Sequence, residues 1–261
     1  MTEILQRQDE GAVTTLTLDD DARLNALSDE MLARLGVDLA DIAVSEARVV
    51  ILAAKGRAFC AGHDLREMQA MRQSPDGGEQ AFADLFDRCT EVMRAIRQLP
   101  QPVIAQVHGM ATAAGCQLVA TCDLAVASNQ ARFGVNGVNI GLFCSTPMVA
   151  LSRNVGRKRA MELLLTGEFL EAEAAREAGL VNRVVPADAL EDETRALADT
   201  IAGKLGAAVR IGKGAFHSQA DLPVDAAYQL TRDAMVANLA EPDTDEGIQA
   251  FLEKRAPRWT Q

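Results

Sequence analysis

Apolar positions recur along this chain in two rhythms, one of strands and one of helices. Ile4–Gln8 and Val13–Leu18 flank Asp9-Glu10-Gly11, a spacing that predicts a β-hairpin. Ser28 is placed to cap a helix whose Met31, Leu35, Leu39 and Ile42 share one face. Arg48–Ala53 and Val103–Val107 are short apolar runs of the kind that form buried strands, and Asp123–Ala127 predicts another. Phe82, Leu85, Phe86, Cys89, Val92, Met93 and Ile96 mark a helix, and Cys116–Cys122 predicts a shorter one. Helices are expected near Arg157–Leu165 and Glu171–Ala178, and a strand at Leu180–Pro186. Beyond Ala187 the pattern is helical throughout, with Leu190, Thr194, Leu197, Ile201 and Leu205 on one stripe. Asp243 and Glu246 have capping-box spacing before Ile248, Phe251 and Leu252. The expected organisation is an α/β region over 1–186 followed by a helical region over 187–261.

Between these elements lie three glycine-bearing stretches, Lys55–Leu65, Gln106–Leu118 and Phe133–Pro147, and a surface break at Ser74–Gly78. Gln106–Leu118 reads QVHGMATAAGCQL, a strand passing into a helix through small residues. Such a junction lets a ligand approach the unpaired first N–H groups of a helix, which favour an anion or a developing oxyanion. Close packing of helix on strand selects the same small residues, so the stretch by itself supports either reading.

Composition narrows the classes. The chain is 48% hydrophobic and 24% charged, ordinary for a globular protein. Its 37 acidic against 26 basic residues give a net charge of −11, which argues against nucleic acid and anionic membrane surfaces as main partners. Cysteines at 60, 89, 116, 122 and 144 include no C-x-x-C pair, and with only three histidines no metal site is indicated. Buried free thiols are the expectation. The N-terminal MTEILQRQDE has no basic-then-apolar pattern, and no apolar run is long enough to span a bilayer, so a cytoplasmic location is expected.

Two separated segments share one further pattern. Arg57–Met68, RAFCAGHDLREM, and Gln106–Leu118, followed by CDLAVAS and FGVNGVNIGL, closely resemble the enoyl-CoA hydratase/isomerase (crotonase) family. The resemblance runs from about Ile4 to Trp259 and includes the terminal FLEKRAPRW. It implies an α/β fold, a spiral of ββα units with a C-terminal helical region that builds trimers or dimers of trimers. It also implies an acyl-CoA substrate, with coenzyme A as part of the thioester, no permanently bound cofactor and no metal. The backbone N–H groups of His63 and Ala114 would hold the thioester oxygen as it gains enolate charge. CoA would lie against Asn25, Ala26 and Leu27 and along Ala61, His63, Asp64, Leu65 and Arg66, with its adenine end near Phe251 and Lys254 of a neighbouring subunit.

The chain departs from that family where the chemistry is done. The positions that carry two catalytic glutamates in the hydratases are occupied here by Gln117 and Gly137. A glutamine amide cannot carry a proton near neutral pH, and glycine offers only backbone. Of the remaining polar groups, His63 is a candidate general acid or base by its intrinsic pKa. Cys144 falls about where the family's decarboxylase branch, which shares A-G-H-D, places a tyrosine; it is either a nucleophile or, as a buried thiol, inert. Asp64 is expected to cap the following turn, and Glu67 to lie on the surface. Asn136 and Asn139 either orient a substrate or bond within their own loop. The expected function is that of a lyase-family protein of acyl-CoA (fatty acid) metabolism in which classical hydration is impaired. A decarboxylase, a thioesterase or a non-catalytic CoA-thioester-binding oligomer are the alternatives.

Overall fold

The computed structural model describes residues 3–260; residues 1, 2 and 261, the extreme ends of the two expected regions, lie outside the described residues. The chain opens with the expected hairpin, β1 (Leu5–Glu10) antiparallel to β2 (Val13–Leu18), turning at Gly11 with φ 61°. Helix α1 (Asp29–Ala43) follows, its first turn capped by the Ser28 side chain, which accepts from Met31 N–H at 3.2 Å. From here the chain repeats one move. It lays a long strand into a first sheet, a three-residue strand into a second, and returns through a helix.

The first such unit is β3 (Val49–Ala54), β4 (Ala58–Cys60), α2 (Leu65–Met71) and α3 (Glu79–Gln98). The second is β5 (Val103–Val107), β6 (Met110–Thr112) and α4 (Ala114–Thr121). The third is β7 (Leu124–Ser128), β8 (Arg132–Gly134), a 3-10 turn at Asn136–Ile140, α5 (Pro147–Asn154) and α6 (Arg157–Thr166). β9 (Phe169–Glu171), α7 (Ala172–Glu177) and β10 (Arg183–Val185) close the spiral, and α8 (Leu190–Ala202), α9 (Gly206–Gln219), α10 (Val224–Leu239) and α11 (Pro242–Leu252) follow. The first sheet has the order β1-β2-β3-β5-β7-β10 and the second β4-β6-β8-β9. Within the first, β2, β3, β5, β7 and β10 pair in parallel, with registers such as Ile51 opposite Ile104 and Ala105 opposite Ala125. The architecture is the α/β spiral with helical C-terminal region that the sequence implied.

β3 reads VVILAA without a polar break because both of its faces are covered. Val50 and Leu52 point into the main core, with Leu16, Leu32, Leu35 and Phe59; Val49, Ile51 and Ala53 point the other way, against Leu190 and Ala198 of α8. Helix α8 thus roofs the outer face of the first sheet. Helix α9 is fastened by one ion: the Lys213 ammonium donates to Ile96 O, Gln101 O and Asp123 Oδ2 at 3.1, 2.9 and 2.6 Å. The same Asp123 carboxylate takes Val103 N–H and stands 3.2 Å from His217 Nε2.

Three differences from the sequence reading concern local structure. The stretches around residues 55–65, 106–118 and 133–147 each contain a three-residue strand, β4, β6 and β8, rather than loop alone. Helix α5 was not expected. The capping box at Asp243 and Glu246 does not form: Glu241 is the N-cap and Pro242 the first helical residue. The two carboxylates serve the returning C-terminus instead. Asp243 accepts from Thr260 N–H and Oγ1, and Glu246 pairs with Arg255. Trp259 lies over Gly247, where a Cβ would come within 3.0 Å of the ring, and its Nε1–H donates to Gly203 O at 3.0 Å. Helices α9 to α11 leave Phe216, Tyr228, Met235, Leu239, Phe251 and Leu252 exposed. No helix among the described residues is long and apolar enough to cross a membrane.

Candidate functional site

Two turns from successive units of the spiral meet at one point. In the first, β4 ends at Cys60, Gly62 takes φ 87°, and Asp64 caps α2 by accepting from Arg66 and Glu67 N–H at 2.8 and 3.4 Å. In the second, β6 ends at Thr112 and α4 begins at Ala114. A Cβ on Gly62 would lie 3.1 Å from the Ala114 nitrogen and 3.0 Å from the Ala113 Cβ. A Cβ on Gly115 would fall onto the Cys60 carbonyl. The small residues here are therefore required by contact between backbones. Among the described residues, neither the His63 N–H nor the Ala114 N–H has a protein acceptor.

Ala113, between the second strand and its helix, holds φ 50° and ψ −120°, a region that L residues avoid. It is pinned from both sides: its N–H donates to Gly134 O at 2.8 Å and its carbonyl accepts from Gln117 N–H at 3.1 Å. That strained residue sets the direction of the Ala114 N–H.

The Leu24–Leu27 segment runs beside the first turn. Leu27 N–H donates to Gly62 O at 2.7 Å and Ala61 N–H to Leu24 O at 3.1 Å. Asn25, with φ 54° and no exposed surface, spends its side chain on the backbone, donating to Lys55 O and Ala58 O and accepting from Asp20 N–H. Ala26 and Leu27 are also buried, so a ligand at these three positions would meet main chain. Arg23 ties the region together, reaching Asp20 at 2.6 Å, Glu67 at 3.5 Å and Asp64 at 3.8 Å. Glu67 also accepts from Asp29 N–H at 3.0 Å, so it is a clamp between segments and not a plain surface charge. Ala61 is partly covered, while Leu65 and Arg66 are exposed and lead outward. Phe251 and Lys254 stand exposed at the end of α11, and among the described residues no hydrogen bond or ion pair joins them to Ala61–Arg66. Lys254 occupies a left-handed position, φ 56°, that usually selects glycine.

The side chains around the junction are short of partners. The His63 ring lies edge-on to Phe86 at 5.6 Å, with Nδ1 3.4 Å from Leu27 O and Nε2 buried without a partner. Burial holds its pKa below the usual histidine value, with the Leu27 carbonyl opposing. The ring is neutral at pH 7, and a proton on Nδ1, bonded to Leu27, leaves the Nε2 lone pair free. Gln117, on α4, has its Oε1 buried and equally unpartnered. Gly137 has no room for a side chain, since its Cβ would lie 2.6 Å from Leu142 O and 2.9 Å from Cys144 Sγ. The Cys144 thiol is pushed up by burial, opposed by a hydrogen bond from the Gly137 backbone. That favours the inert reading over the nucleophile. Asn136 accepts from the Thr112 hydroxyl and Asn139 donates to Gly167 O at 3.2 Å, so both tie neighbouring elements together. No group of three or more His, Cys, Asp or Glu suited to a metal ion occurs among the described residues.

Gln117 opens into a cavity of about 920 Å³ between α3, α4, α5 and α9, with Met93, Ala120, Val149, Val209 and Phe216 among its walls. In the sequence Met93 is legible only as part of a helical stripe, and nothing marks Ala120, Val149, Val209 or Phe216 as cavity walls. They come from helices far apart in the chain, and each looks like an ordinary member of its helix.

Comparison with known proteins agrees with the fold. A model of the enoyl-CoA hydratase/isomerase family matches residues 8–261. "Enoyl-CoA hydratase domain-containing protein 3, mitochondrial" of Mus musculus is 46% identical over 255 residues, covering 97% of this chain and 83% of that protein. The crystal structure of an enoyl-CoA hydratase from Mycobacterium smegmatis is 53% identical, with TM-score 0.95 over 99% of this chain and all (100%) of the other. That of human enoyl Coenzyme A hydratase domain-containing protein 3 is 44% identical, with TM-score 0.93 over 98% of this chain and 100% of the other. The cytoplasmic expectation is corrected by these relatives, since those from mouse, rat and human are named as mitochondrial. Absence of a leader-like pattern at the N-terminus was too weak a ground for it.

Proposed function

The chain belongs to the enoyl-CoA hydratase/isomerase family, and on that premise we propose that it binds a CoA thioester and stabilises its enolate between the His63 and Ala114 N–H groups. One observation carries this reading: the Ala114 nitrogen lies 3.1 Å from where a Gly62 side chain would begin, beside His63, with a strained Ala113 aiming it. Two preset donors at a developing oxyanion need no reorganisation during the reaction, and removing one costs ~10²–10³ in rate. CoA is read along Ala61–Arg66, its adenine end on Phe251 and Lys254 of a neighbouring copy. The exposed apolar residues of α9 to α11 support a homotrimer or a dimer of trimers. Acyl-CoA metabolism is the setting this implies, with coenzyme A brought by the substrate.

The chemistry is read as enolate formation without classical hydration. Syn addition of water needs proton carriers, and the two positions assigned to them hold an amide and a glycine. Gln117 Oε1 supplies an acceptor for a substrate N–H, O–H or water; it moves no proton. His63 supplies a neutral nitrogen suited to accept one. Decarboxylation through the same enolate, or thioester hydrolysis through a tetrahedral oxyanion held by the same two N–H groups with the CoA thiolate as leaving group, is the alternative. Decarboxylation is the one these residues favour, because it needs no base at the acyl carbon: the departing CO₂ leaves its electron pair in the enolate.

The test is loss of the enoyl-thioester absorbance of crotonyl-CoA, set beside its binding by calorimetry. Measurable binding with negligible hydration is expected; turnover of many per second would overturn the chemistry. Ala114→Pro, which deletes one donor, should weaken thioester binding in protein shown by circular dichroism to be folded. Wild-type affinity in that variant would sink the oxyanion assignment.

A further inference from the structure

The cavity beside Gln117 has three arginines, Arg94, Arg97 and Arg153, in its lining. Helix α3 runs away from the candidate thioester site, from Phe86 against the His63 ring to Arg97 near its end, and α4 does the same from Ala114 to Thr121. At 1.5 Å per residue these spans are about 16 and about 10 Å. The cavity takes up their farther parts, from Thr90 on α3 and from Gln117, one turn into α4, and is apolar along Met93 and Ala120; the three arginines also face it. A neighbouring recess of about 520 Å³ shares Arg94, Arg97 and Lys213, adds Arg210, and has no carboxylate in its lining. Asp123 and Asp221 line the main cavity, but Asp123 is already bound to Lys213 at 2.6 Å. Arg94 pairs with Glu91 at 2.9 Å. Among the described residues, Arg97 and Arg153 are held only by backbone carbonyls, His217 O at 3.1 Å and Val149 O at 2.9 Å. Among the described residues, Arg97, Arg153 and Arg210 have no carboxylate partner, in a chain where 37 acidic residues outnumber 26 basic ones.

We propose that this end of the cavity receives an anionic group at the far end of the acyl chain, so that the ligand is the CoA monothioester of a dicarboxylic acid, with Arg97 facing its free carboxylate. This rests on the reading that His63 and Ala114 hold a CoA thioester. A purely aliphatic chain would displace water from the guanidinium groups and return no hydrogen bond. A carboxylate restores charge-assisted bonds, and an arginine fork accepts it in bidentate fashion.

The experiment compares suberyl-CoA with octanoyl-CoA, which share chain length and differ in the terminal carboxylate, by calorimetric titration of the wild-type protein. Suberyl-CoA is expected to bind about tenfold more tightly or better, as one charge-assisted contact would give, and the preference should shrink with added salt. In Arg97→Gln, and independently in Arg94→Gln/Arg153→Gln, the ratio of the two affinities should fall towards one. The second variant leaves the Arg97 bond to α9 in place, so a loss there is not a loosening of that helix. If octanoyl-CoA binds as tightly as suberyl-CoA, or if the preference survives both variants, the inference is wrong while the thioester reading stands. If neither ligand binds, the thioester reading fails and takes the inference with it.

Discussion

The sulfur of Cys144 stands 2.9 Å from the point where a side chain at Gly137 would begin, and the Gly137 backbone bonds to that thiol. The two residues fill one space between them. Leu142 O closes the same space from the other side at 2.6 Å. Gly137→Ala is therefore expected to cost about 1–3 kcal/mol by overpacking, and Gly137→Glu more, so the glutamate cannot be restored by that change alone. Thermal unfolding of Gly137→Ala beside Gly137→Ala/Cys144→Gly checks this: the second substitution should return part of the loss. Equal melting temperatures for wild type and Gly137→Ala would contradict it.

Ala113 gives a second prediction. Its backbone conformation costs about 1–3 kcal/mol, and glycine there would lose part of that gain, about 0.5–1 kcal/mol, to chain entropy. Ala113→Gly should stabilise the fold by about 1 kcal/mol while weakening thioester binding, because the Ala114 N–H loses its fixed aim. Denaturant midpoints and acyl-CoA titrations on the same samples would show the opposite movements.

At the end of α11 the same trade is set up by Lys254. A left-handed lysine costs ~1–2 kcal/mol, and the C′ position accepts glycine readily. Lys254→Gly should raise the melting temperature by a few degrees and lower CoA affinity if the lysine meets the adenine end. Unchanged CoA affinity would remove Lys254 from the site.

His63 makes stability depend on pH. Its folded pKa is depressed, so the unfolded chain binds the extra proton more readily as pH falls. The neutral ring's contribution is full above the unfolded value near 6.5 and is lost as pH drops through the folded value. Replacement by glutamine should flatten unfolding free energy against pH below 6.5, measured by urea titration. Thioester binding should follow the same pH limb if the Nε2 lone pair accepts from the ligand.

The Lys213–Asp123 pair supplies the most costly change. With side chains 7% and 16% exposed, removing the cation leaves a carboxylate largely shut off from water. Lys213→Met should cost about 3–5 kcal/mol, whereas Lys213→Met/Asp123→Asn should recover part of it. A double-mutant cycle by chemical unfolding measures the coupling.

Much of this molecule was legible in its residues. β3, β5 and β7 announced themselves as apolar runs, and α1 and α3 as stripes of Leu, Met and Ile. The second sheet was hidden because β4, β6 and β8 are only three residues long, AFC, MAT and RFG, too short for a strand period to show. Those strands are what bring Gly62 and Ala114 together. Asp64 as a cap followed from its position before α2. The roles of Glu67, Asn136 and Asn139 as ties between segments did not, since their partners lie up to 44 residues away along the chain. The unpaired arginines of the cavity left no trace in the sequence, where every arginine looks like a solvated charge.

The spiral also dictates an order of assembly. Apart from the β1–β2 hairpin, each neighbour in the first sheet is one whole unit further along the chain, so its pairing waits for a crossover to close. Such parallel, non-local pairing makes for slow folding. His63 follows the strand pair of one coil and Ala114 that of the next, so the two amides proposed to hold the thioester come together only when two coils have docked. Recovery of thioester binding during refolding therefore times the closure of the spiral itself, and should lag behind the appearance of helix.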